Sequence, residues 1–332
     1  MEKKSKFKKY MSELAADKVR LVILILLFIV MITTLVFMAV RLYGENEKKR
    51  DSKIAADIFD KNNKDAQAAE TPGQASATEM PTELSTSTEN IENSENSEKM
   101  PNSNDDDENT NSPTAVPRPV LQSIQSLREL YENKDIIGYL VIPGTEIKEP
   151  VVQSADDKLH RRNEFYLKRD LYKQDKEYGS IFMDYENNVS KEDKNIILYG
   201  HNMKAKIMFH EIRYYTGQSF YENHKYIIFT TLYETLVWEV FACYETHKSF
   251  YYIQVDFEDN DEFYQLASEM KSRSAVETGV EISPEDRVLT LSTCTNRDPD
   301  TRIVVNARLI TKLEDIPQDI KDVYMSSINL KE

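Results

Sequence analysis

Cysteine and glycine are both scarce in this chain. Among its 332 residues there are two cysteines, Cys243 and Cys294, and eight glycines. Two cysteines exclude a fold held by several disulfides and leave at most one bridge, between Cys243 and Cys294. The scattered glycines exclude a glycine-rich phosphate-binding loop. No His, Cys or carboxylate cluster has metal-ligand spacing, so we expect no metal site.

Positive charge is also limited. The chain has 42 Lys and Arg residues against 57 Asp and Glu, for a formal net charge of −15. Nucleic-acid binding requires clustered Lys and Arg, so this balance argues against a nucleic-acid partner. The length and a hydrophobic content of 40% suffice for one sizeable domain with accessory segments.

Residues 21–40 contain no charge and no proline, and they follow a basic tail over residues 1–20. As a helix rising about 1.5 Å per residue, this stretch spans about 30 Å, the thickness of a bilayer core. A cleaved signal peptide has a shorter apolar region and a small-residue cleavage site, which Arg41-Leu-Tyr-Gly-Glu45 does not provide. The sequence therefore predicts a single-pass anchor with the tail in the cytoplasm and the rest of the chain outside.

The composition changes after the anchor. Residues 71–117 contain no aromatic residue, are rich in Ser, Thr, Asn and Glu, and include the acidic run Asp105-Asp-Asp-Glu108. Such a segment cannot bury enough apolar surface to offset its ordering entropy. Residues 41–117 are therefore predicted to be a flexible acidic linker, with an end-to-end distance of about 50 Å. Its first part, residues 53–69, could continue the anchor as a helix.

Residues 118–332 have the pattern of a folded domain. Leu121, Ile124, Leu127 and Leu130 recur at helical spacing and predict a helix over residues 121–133. Further helices are predicted at Ala205–Tyr215, Asp261–Ser274 and Ile316–Ile328. Eight runs read as strands: Ile136–Ile142, Ile147–Val152, Gly179–Asp184, Asn195–Tyr199, Tyr226–Thr231, Thr235–Tyr244, Arg287–Thr293 and Arg302–Ile310. Many strands with few helices predict a mainly β domain, as a closed or nearly closed barrel.

Three residues that could carry chemistry stand at the ends of these strands. Cys294 ends one run, Arg302 opens the next, and a short polar loop between them could place the two strands side by side. A thiol near a fixed positive charge loses its proton more easily, and the thiolate is the nucleophile. His201 follows a third strand and a glycine, so it can project from a sheet edge. These residues predict a Cys/His/Arg site.

The motifs around these residues resemble those of sortases, the cysteine transpeptidases of Gram-positive cell surfaces. The motifs are Tyr199-Gly-His201, Thr290-Leu-Ser-Thr-Cys294 and Arg302-Ile-Val-Val305, in that order. Asn163-Glu-Phe-Tyr-Leu167 and Tyr178-Gly-Ser-Ile-Phe-Met-Asp184-Tyr-Glu-Asn187 are similar to the class B branch. The resemblance covers roughly residues 121–310 and implies an eight-stranded β-barrel with a helix before the cysteine strand.

The resemblance also implies roles for individual residues. Cys294 would be the nucleophile that forms a thioester, His201 would shuttle protons to and from the amines, and Arg302 would steady the oxyanion. Two other arginines are alternatives to Arg302 for this role: Arg308, which shares a strand face with Arg302, and Arg297, which lies in the loop. The remaining histidines lack such a context and are interpreted as structural: His160, His210, His224 and His247.

By the same resemblance, four residues match positions that line the substrate groove of class B sortases: Asn163, Leu167, Tyr199 and Ser292. A fifth candidate is Thr295, where some class B members carry an acid. The side-chain contact of that acid does not carry over, but the backbone N–H of Thr295 could serve an oxyanion hole.

The resulting hypothesis is a membrane-anchored class B sortase without a cofactor. It would cleave a C-terminal sorting signal resembling Asn-Pro-x-Thr-x after the threonine, and transfer the protein to an amine of peptidoglycan or its lipid-linked precursor. Within the same chemistry, a pilin-joining sortase would use a protein lysine as the acceptor. Two other hypotheses are a tethered β-barrel binding module, with Cys294 inert or disulfide-bonded, and a plain cysteine endopeptidase.

Overall fold

The computed structural model describes residues 2–69, 118–203, 205–295 and 297–328. Within these ranges eight strands form a closed barrel in the order β1-β2-β3-β4-β7-β8-β6-β5, which confirms the predicted fold class. The strands are β1 (Ile136–Val141), β2 (Lys148–Val152), β3 (Ile181–Met183), β4 (Asn195–Tyr199), β5 (Tyr226–Thr231), β6 (Thr235–His247), β7 (Val288–Cys294) and β8 (Thr301–Leu309). The helices are α1 (Glu2–Ala69), α2 (Gln122–Leu130), α3 (Ala155–His160), α4 (Gln218–Asn223), α5 (Asn260–Ser272) and α6 (Gln318–Ile328).

The order of strands in the barrel gathers three chain segments at one rim. Strand β4 pairs with β7 in parallel, and β7 pairs with β8 in antiparallel fashion. The carboxyl ends of β4 and β7 and the amino end of β8 therefore lie side by side. Residues that follow β4, end β7 or begin β8 can meet there.

Helix α5 covers the outside of the barrel next to β6, β7 and β8. The Asp259 carboxylate caps its first turn by accepting from the Glu262 N–H at 2.9 Å. Phe263, Ala267 and Met270, spaced at one helical face, are buried and belong to the same apolar cluster as Val288 and Val304. Apolar residues at helical spacing thus produce the helix expected over Asp261–Ser274.

Residues 41–52 are helical where the sequence predicted a flexible linker, and residues 53–69 continue the anchor as the helix that the sequence allowed. Helix α1 runs without interruption from Glu2 to Ala69, and the stretch Ile25–Asn62 within it is long and apolar enough to cross a membrane. Residues 41–69 contain no proline, and Ala55, Ile58 and Phe59 lie on one helical face. Burial of that face against the barrel favours helix over an irregular tether. Residues 70–117 of the predicted linker lie outside the described residues.

After residues 21–40, helix α1 packs directly on the barrel. The Lys48 ammonium lies 2.6 Å from the Glu149 carboxylate, with both side chains buried. The Ser52 hydroxyl donates to the same carboxylate at 2.7 Å. Phe59 stacks on Tyr139 of β1 with a ring-centroid distance of 4.1 Å. The part of the helix that follows residue 40 is therefore a component of the folded domain.

The helix predicted over Ala205–Tyr215 is also wrong for its first half. A 3-10 helix forms at Glu211–Thr216, whereas Lys206 and Met208 have φ angles of +58° and +57°. A right-handed helix cannot contain residues in this left-handed region. The segment instead folds back on itself, and Asn202 pairs with Met208.

Candidate active site

Cys294 and Arg302 occupy directly opposed positions on β7 and β8. Opposed residues of an antiparallel pair project from the same face of the sheet, with Cβ atoms about 5 Å apart. The Arg302 guanidinium donates to the carbonyl oxygens of Pro299, at 2.7 Å, and Thr301, at 3.2 Å. The loop between the two strands thus fixes the guanidinium beside the partly exposed thiol.

The segment that carries His201 is tied to the cysteine strand by three hydrogen bonds. The Gly200 N–H donates to the Ser292 carbonyl at 3.3 Å, and the Thr293 hydroxyl donates to the Gly200 carbonyl at 2.6 Å. The Asn202 side-chain amide donates to the Cys294 carbonyl at 3.1 Å. These bonds hold the imidazole at the same rim as the thiol.

A backbone carbonyl orients the His201 ring. Nε2 of His201 lies 2.6 Å from the carbonyl oxygen of Leu167, which can only accept. Nε2 therefore carries the hydrogen of the neutral imidazole, and Nδ1 is the nitrogen that can take up a proton. Leu167 belongs to the 3-10 helix Phe165–Lys168.

Gly179 permits this 3-10 helix to lie close to the following turn. Its φ angle is +59°, and a methyl group added at Gly179 would lie 2.5 Å from the Leu167 carbonyl oxygen. Only glycine fits both the backbone angle and the close approach.

These elements surround one cavity of about 380 Å³. Seven of the eight predicted site residues line it: Asn163, Leu167, Tyr199, His201, Ser292, Cys294 and Arg302. Phe182, Gly200 and Thr293 complete the wall on the barrel side. The four histidines interpreted as structural are not among its lining residues.

Thr295, predicted to offer its backbone N–H to an oxyanion hole, is not among the residues that line the cavity. Its backbone N–H donates to the Thr301 carbonyl at 3.2 Å, within the loop. Its buried hydroxyl accepts from the backbone N–H groups of Arg297 and Asp298. Thr295 thus shapes the loop that fixes Arg302, and its N–H does not face the cavity.

The two rival arginines lie elsewhere. Arg297 points outward and forms an exposed ion pair with Glu245. Arg308 is paired with Glu239 at 2.9 Å and stands opposite Val288, at the far end of the β7–β8 ladder from Cys294. Neither lines the cavity.

Sequence reasoning missed the wall formed by residues 248–253, after β6. Lys248, Phe250, Tyr251, Tyr252 and Ile253 line the cavity. The Tyr252 hydroxyl lies 2.8 Å from the Ser292 hydroxyl, and burial raises the pKa of Tyr252. The available signal was the run Phe250-Tyr-Tyr252, because consecutive aromatic residues outside a strand or helix are typical of binding surfaces.

The two cysteines occupy different environments. Both are free thiols, so the alternative of a Cys243–Cys294 disulfide is wrong for this structure. Cys243 is fully buried in the core on β6, and burial raises the pKa of its thiol. Cys294 is partly exposed to the cavity, so it is the thiol that can reach a substrate.

Comparison with known proteins gives a consistent result. Residues 140–310 match the Sortase domain family. The chain is 36% identical over 195 residues to sortase B of Staphylococcus aureus. The aligned region covers 58% of this chain and 75% of that protein. It is 37% identical over 201 residues to sortase B of Listeria monocytogenes, in an alignment that covers 60% of this chain and 78% of that protein.

Solved structures agree with the sequence matches. The Staphylococcus aureus sortase B–substrate complex has a TM-score of 0.53 at 36% identity, covering 58% of this chain and 86% of that chain. Clostridium perfringens sortase B has a TM-score of 0.51 at 31% identity, covering 56% of this chain and 98% of that chain. The barrel, the sequence matches and the structural matches together show that this chain belongs to the sortase family, as a class B cysteine transpeptidase.

Proposed function

We propose that Cys294 is the nucleophile, His201 the proton donor and acceptor, and Arg302 the oxyanion-stabilising residue of this transpeptidase. The observation that supports this assignment is the placement of all three around one cavity. The substrate is the C-terminal sorting signal of a surface protein, resembling Asn-Pro-x-Thr-x, and Asn163, Leu167, Tyr199 and Ser292 contact it.

The reaction has two acyl-transfer steps. The Cys294 thiolate attacks the threonine carbonyl, and the Arg302 guanidinium donates hydrogen bonds to the resulting oxyanion. His201 protonates the leaving amine, the C–N bond breaks, and a thioester remains on Cys294. An incoming amine then gives a proton to His201 and attacks the thioester. A new amide forms and the Cys294 thiolate leaves while His201 holds the proton, which restores the starting state without a cofactor.

The acceptor is an amine of peptidoglycan or its lipid-linked precursor, so the product is a surface protein anchored to the cell wall. Residues 21–40 cross the cell membrane, with residues 1–20 in the cytoplasm and the barrel outside. The basic tail before the span supports this orientation. The barrel then lies on the side of the membrane where the peptidoglycan amine is found.

The direct test is acylation of Cys294 in the full chain solubilised in detergent. A fragment starting at residue 118 is less suitable because Ala55 and Phe59 of α1 are buried against the barrel. The protein is incubated with sorting-signal peptides, and its intact mass is recorded with and without an added amine. Wild type and Cys243→Ala should gain the mass of the acyl group and lose it to the amine.

Cys294→Ala is the matched control and should gain no mass. Acylation of Cys294→Ala would show that another residue is the nucleophile. Discharge of the adduct at the same rate with and without amine would indicate a hydrolase rather than a transpeptidase. A lysine-containing protein acceptor that is preferred over a peptidoglycan amine would favour the pilin-joining alternative.

A further inference from the structure

Asp184 lies behind the wall of the cavity. It follows β3 directly, is 2% exposed, and its backbone N–H donates to the Ile197 carbonyl of β4 at 3.0 Å. Its backbone carbonyl accepts from the Gln153 side-chain amide at 2.6 Å. The residue is thus held rigidly, with its carboxylate directed at neighbouring side chains.

The carboxylate holds two of the residues that line the cavity. Oδ2 of Asp184 accepts from Asn163 Nδ2 at 2.7 Å and from the Tyr199 hydroxyl at 2.8 Å. Oδ1 accepts from the Glu186 N–H at 2.9 Å. Asn163 and Tyr199 come from different chain segments, and one buried group fixes both.

Asn163 is oriented from both ends of its side-chain amide. Its Oδ1 accepts from the Tyr185 N–H at 2.9 Å, while its Nδ2 donates to Asp184. A primary amide has two N–H bonds, so one remains for a bound peptide carbonyl. Tyr199 has used its hydroxyl hydrogen and offers the cavity its ring and its oxygen lone pairs.

A carboxylate is the group that this position requires. Three donors converge on Asp184, and two carboxylate oxygens accept all of them. An asparagine has a single acceptor oxygen and a donating NH₂, so at least one buried donor would lose its partner. Burial raises the pKa of Asp184, and these three hydrogen bonds offset only part of that rise because they favour the ionised form.

We propose that Asp184 is a positioning residue for the sorting-signal peptide, which acts by fixing the Asn163 amide and the Tyr199 side chain. This inference rests on the proposed function, because it assigns a binding task to the same cavity. Asp184 does not line the cavity itself, so its effect must pass through these two side chains. A positioning role for peptide binding predicts a change in KM rather than in the chemical step.

The test compares Asp184→Asn with Asp170→Asn in the full chain. Asp170 is a matched control because it is also buried, but its carboxylate accepts from the Tyr172 and Gln174 N–H groups and from neither Asn163 nor Tyr199. Asp184→Asn should raise KM for the peptide about tenfold, with kcat within about twofold of wild type. Asp170→Asn should leave both constants near wild type, even where it lowers thermal stability.

Two further readouts separate positioning from general damage. The rate at which iodoacetamide alkylates Cys294 should be unchanged in Asp184→Asn, because the thiol itself is not disturbed. In an Asn163→Ala/Tyr199→Phe background, Asp184→Asn should change KM less than about twofold, since both side-chain hydrogen bonds to the carboxylate are already gone. A KM equal to that of Asp170→Asn, or a tenfold effect that persists in this background, would overturn the inference.

If Asp184→Asn does not fold, Tyr199→Phe serves instead, because it removes one link and leaves the carboxylate in place. KM should then rise with kcat constant, and an unchanged KM would count against the inference. Failure of wild type to acylate Cys294 would overturn the proposed function itself. Acylation with an unaltered KM in Asp184→Asn would overturn only the role of Asp184.

Discussion

Cys294 and Arg302 face each other across the β7–β8 ladder, with no intervening residue in the register. The pairing places a nucleophile candidate and a fixed cation on one face of one sheet, where the backbone determines their separation. Replacement of the guanidinium should therefore affect the chemical step strongly.

Arg302→Ala is expected to lower kcat by about 10²–10³-fold, the effect typical of removing one oxyanion-stabilising group. Arg302→Lys should recover only part of the rate, because an ammonium keeps the charge but loses the planar fork of donors. Arg297→Ala is the control, since Arg297 forms an exposed ion pair outside the cavity, and its kcat should remain within about twofold. Equal losses in Arg297→Ala and Arg302→Ala would contradict the assignment. The measurement is peptide acyl transfer under saturating substrate.

The two thiols should differ in reactivity. Native protein treated with iodoacetamide at pH 8 should gain one label, on Cys294, because Cys243 is fully buried and its thiol pKa is raised. Unfolding in urea should add a second label. Intact mass measures both stages, and Cys294→Ala should remain unlabelled until it unfolds. Native labelling of Cys294→Ala would show that Cys243 is accessible.

Gly179→Ala should damage the site without replacing any residue that lines it. The added methyl group would lie 2.5 Å from the carbonyl oxygen that accepts from His201, so the 3-10 helix and the imidazole must shift. We expect kcat/KM to fall at least about tenfold, since small displacements of catalytic groups are costly.

Gly279→Ala is the matched control for Gly179→Ala. Gly279 has a φ of +69° with no atom within 4 Å of an added methyl group. Gly279→Ala should lose only about 1–2 kcal/mol of stability, because of backbone strain, and its kinetics should be normal. Similar kinetic losses in the two variants would show that backbone strain, rather than the clash with the Leu167 carbonyl oxygen, causes the effect.

Lys48→Ala should destabilise the packing of α1 on the barrel. The substitution leaves the Glu149 carboxylate buried without its cation, and loss of one partner of a buried pair costs about 3–5 kcal/mol. Lys49→Ala, at the next, exposed position, should have little effect. Urea unfolding of the full chain in detergent gives the comparison. Indistinguishable midpoints would argue against the helix as a part of the folded domain.

The sequence was sufficient to predict the barrel and seven of the residues that line the cavity. Cys294 and Arg302 are separated by a short polar loop between two strand patterns, so local reasoning alone places them together. Contacts between distant segments were not predictable in this way. The hydrogen bond between His201 and the Leu167 carbonyl joins residues 34 positions apart, and a backbone carbonyl carries no sequence signal.

The errors have a common physical origin. Residues 41–52 were interpreted as linker from their polar composition, but the helix continues through them because a barrel surface is available to bury one of its faces. The turn after His201 has good helix formers, yet Lys206 and Met208 take positive φ values. In both places tertiary contacts, which composition does not encode, decide the backbone conformation.

The packing of α1 on the barrel has a consequence for residues 70–117. The chain reaches the barrel before this segment, along α1, and continues from it into α2, which also belongs to the barrel domain. The segment is thus an insertion between two parts of one folded body, and its length does not set the distance from the membrane. Helix α1 instead meets the barrel soon after Val40, since Glu47 pairs with Lys176 and Lys48 pairs with Glu149, each at 2.6 Å. With residues 21–40 in a bilayer, as proposed, helix α1 would hold the barrel close to the membrane surface, and its substrates would have to come to it there.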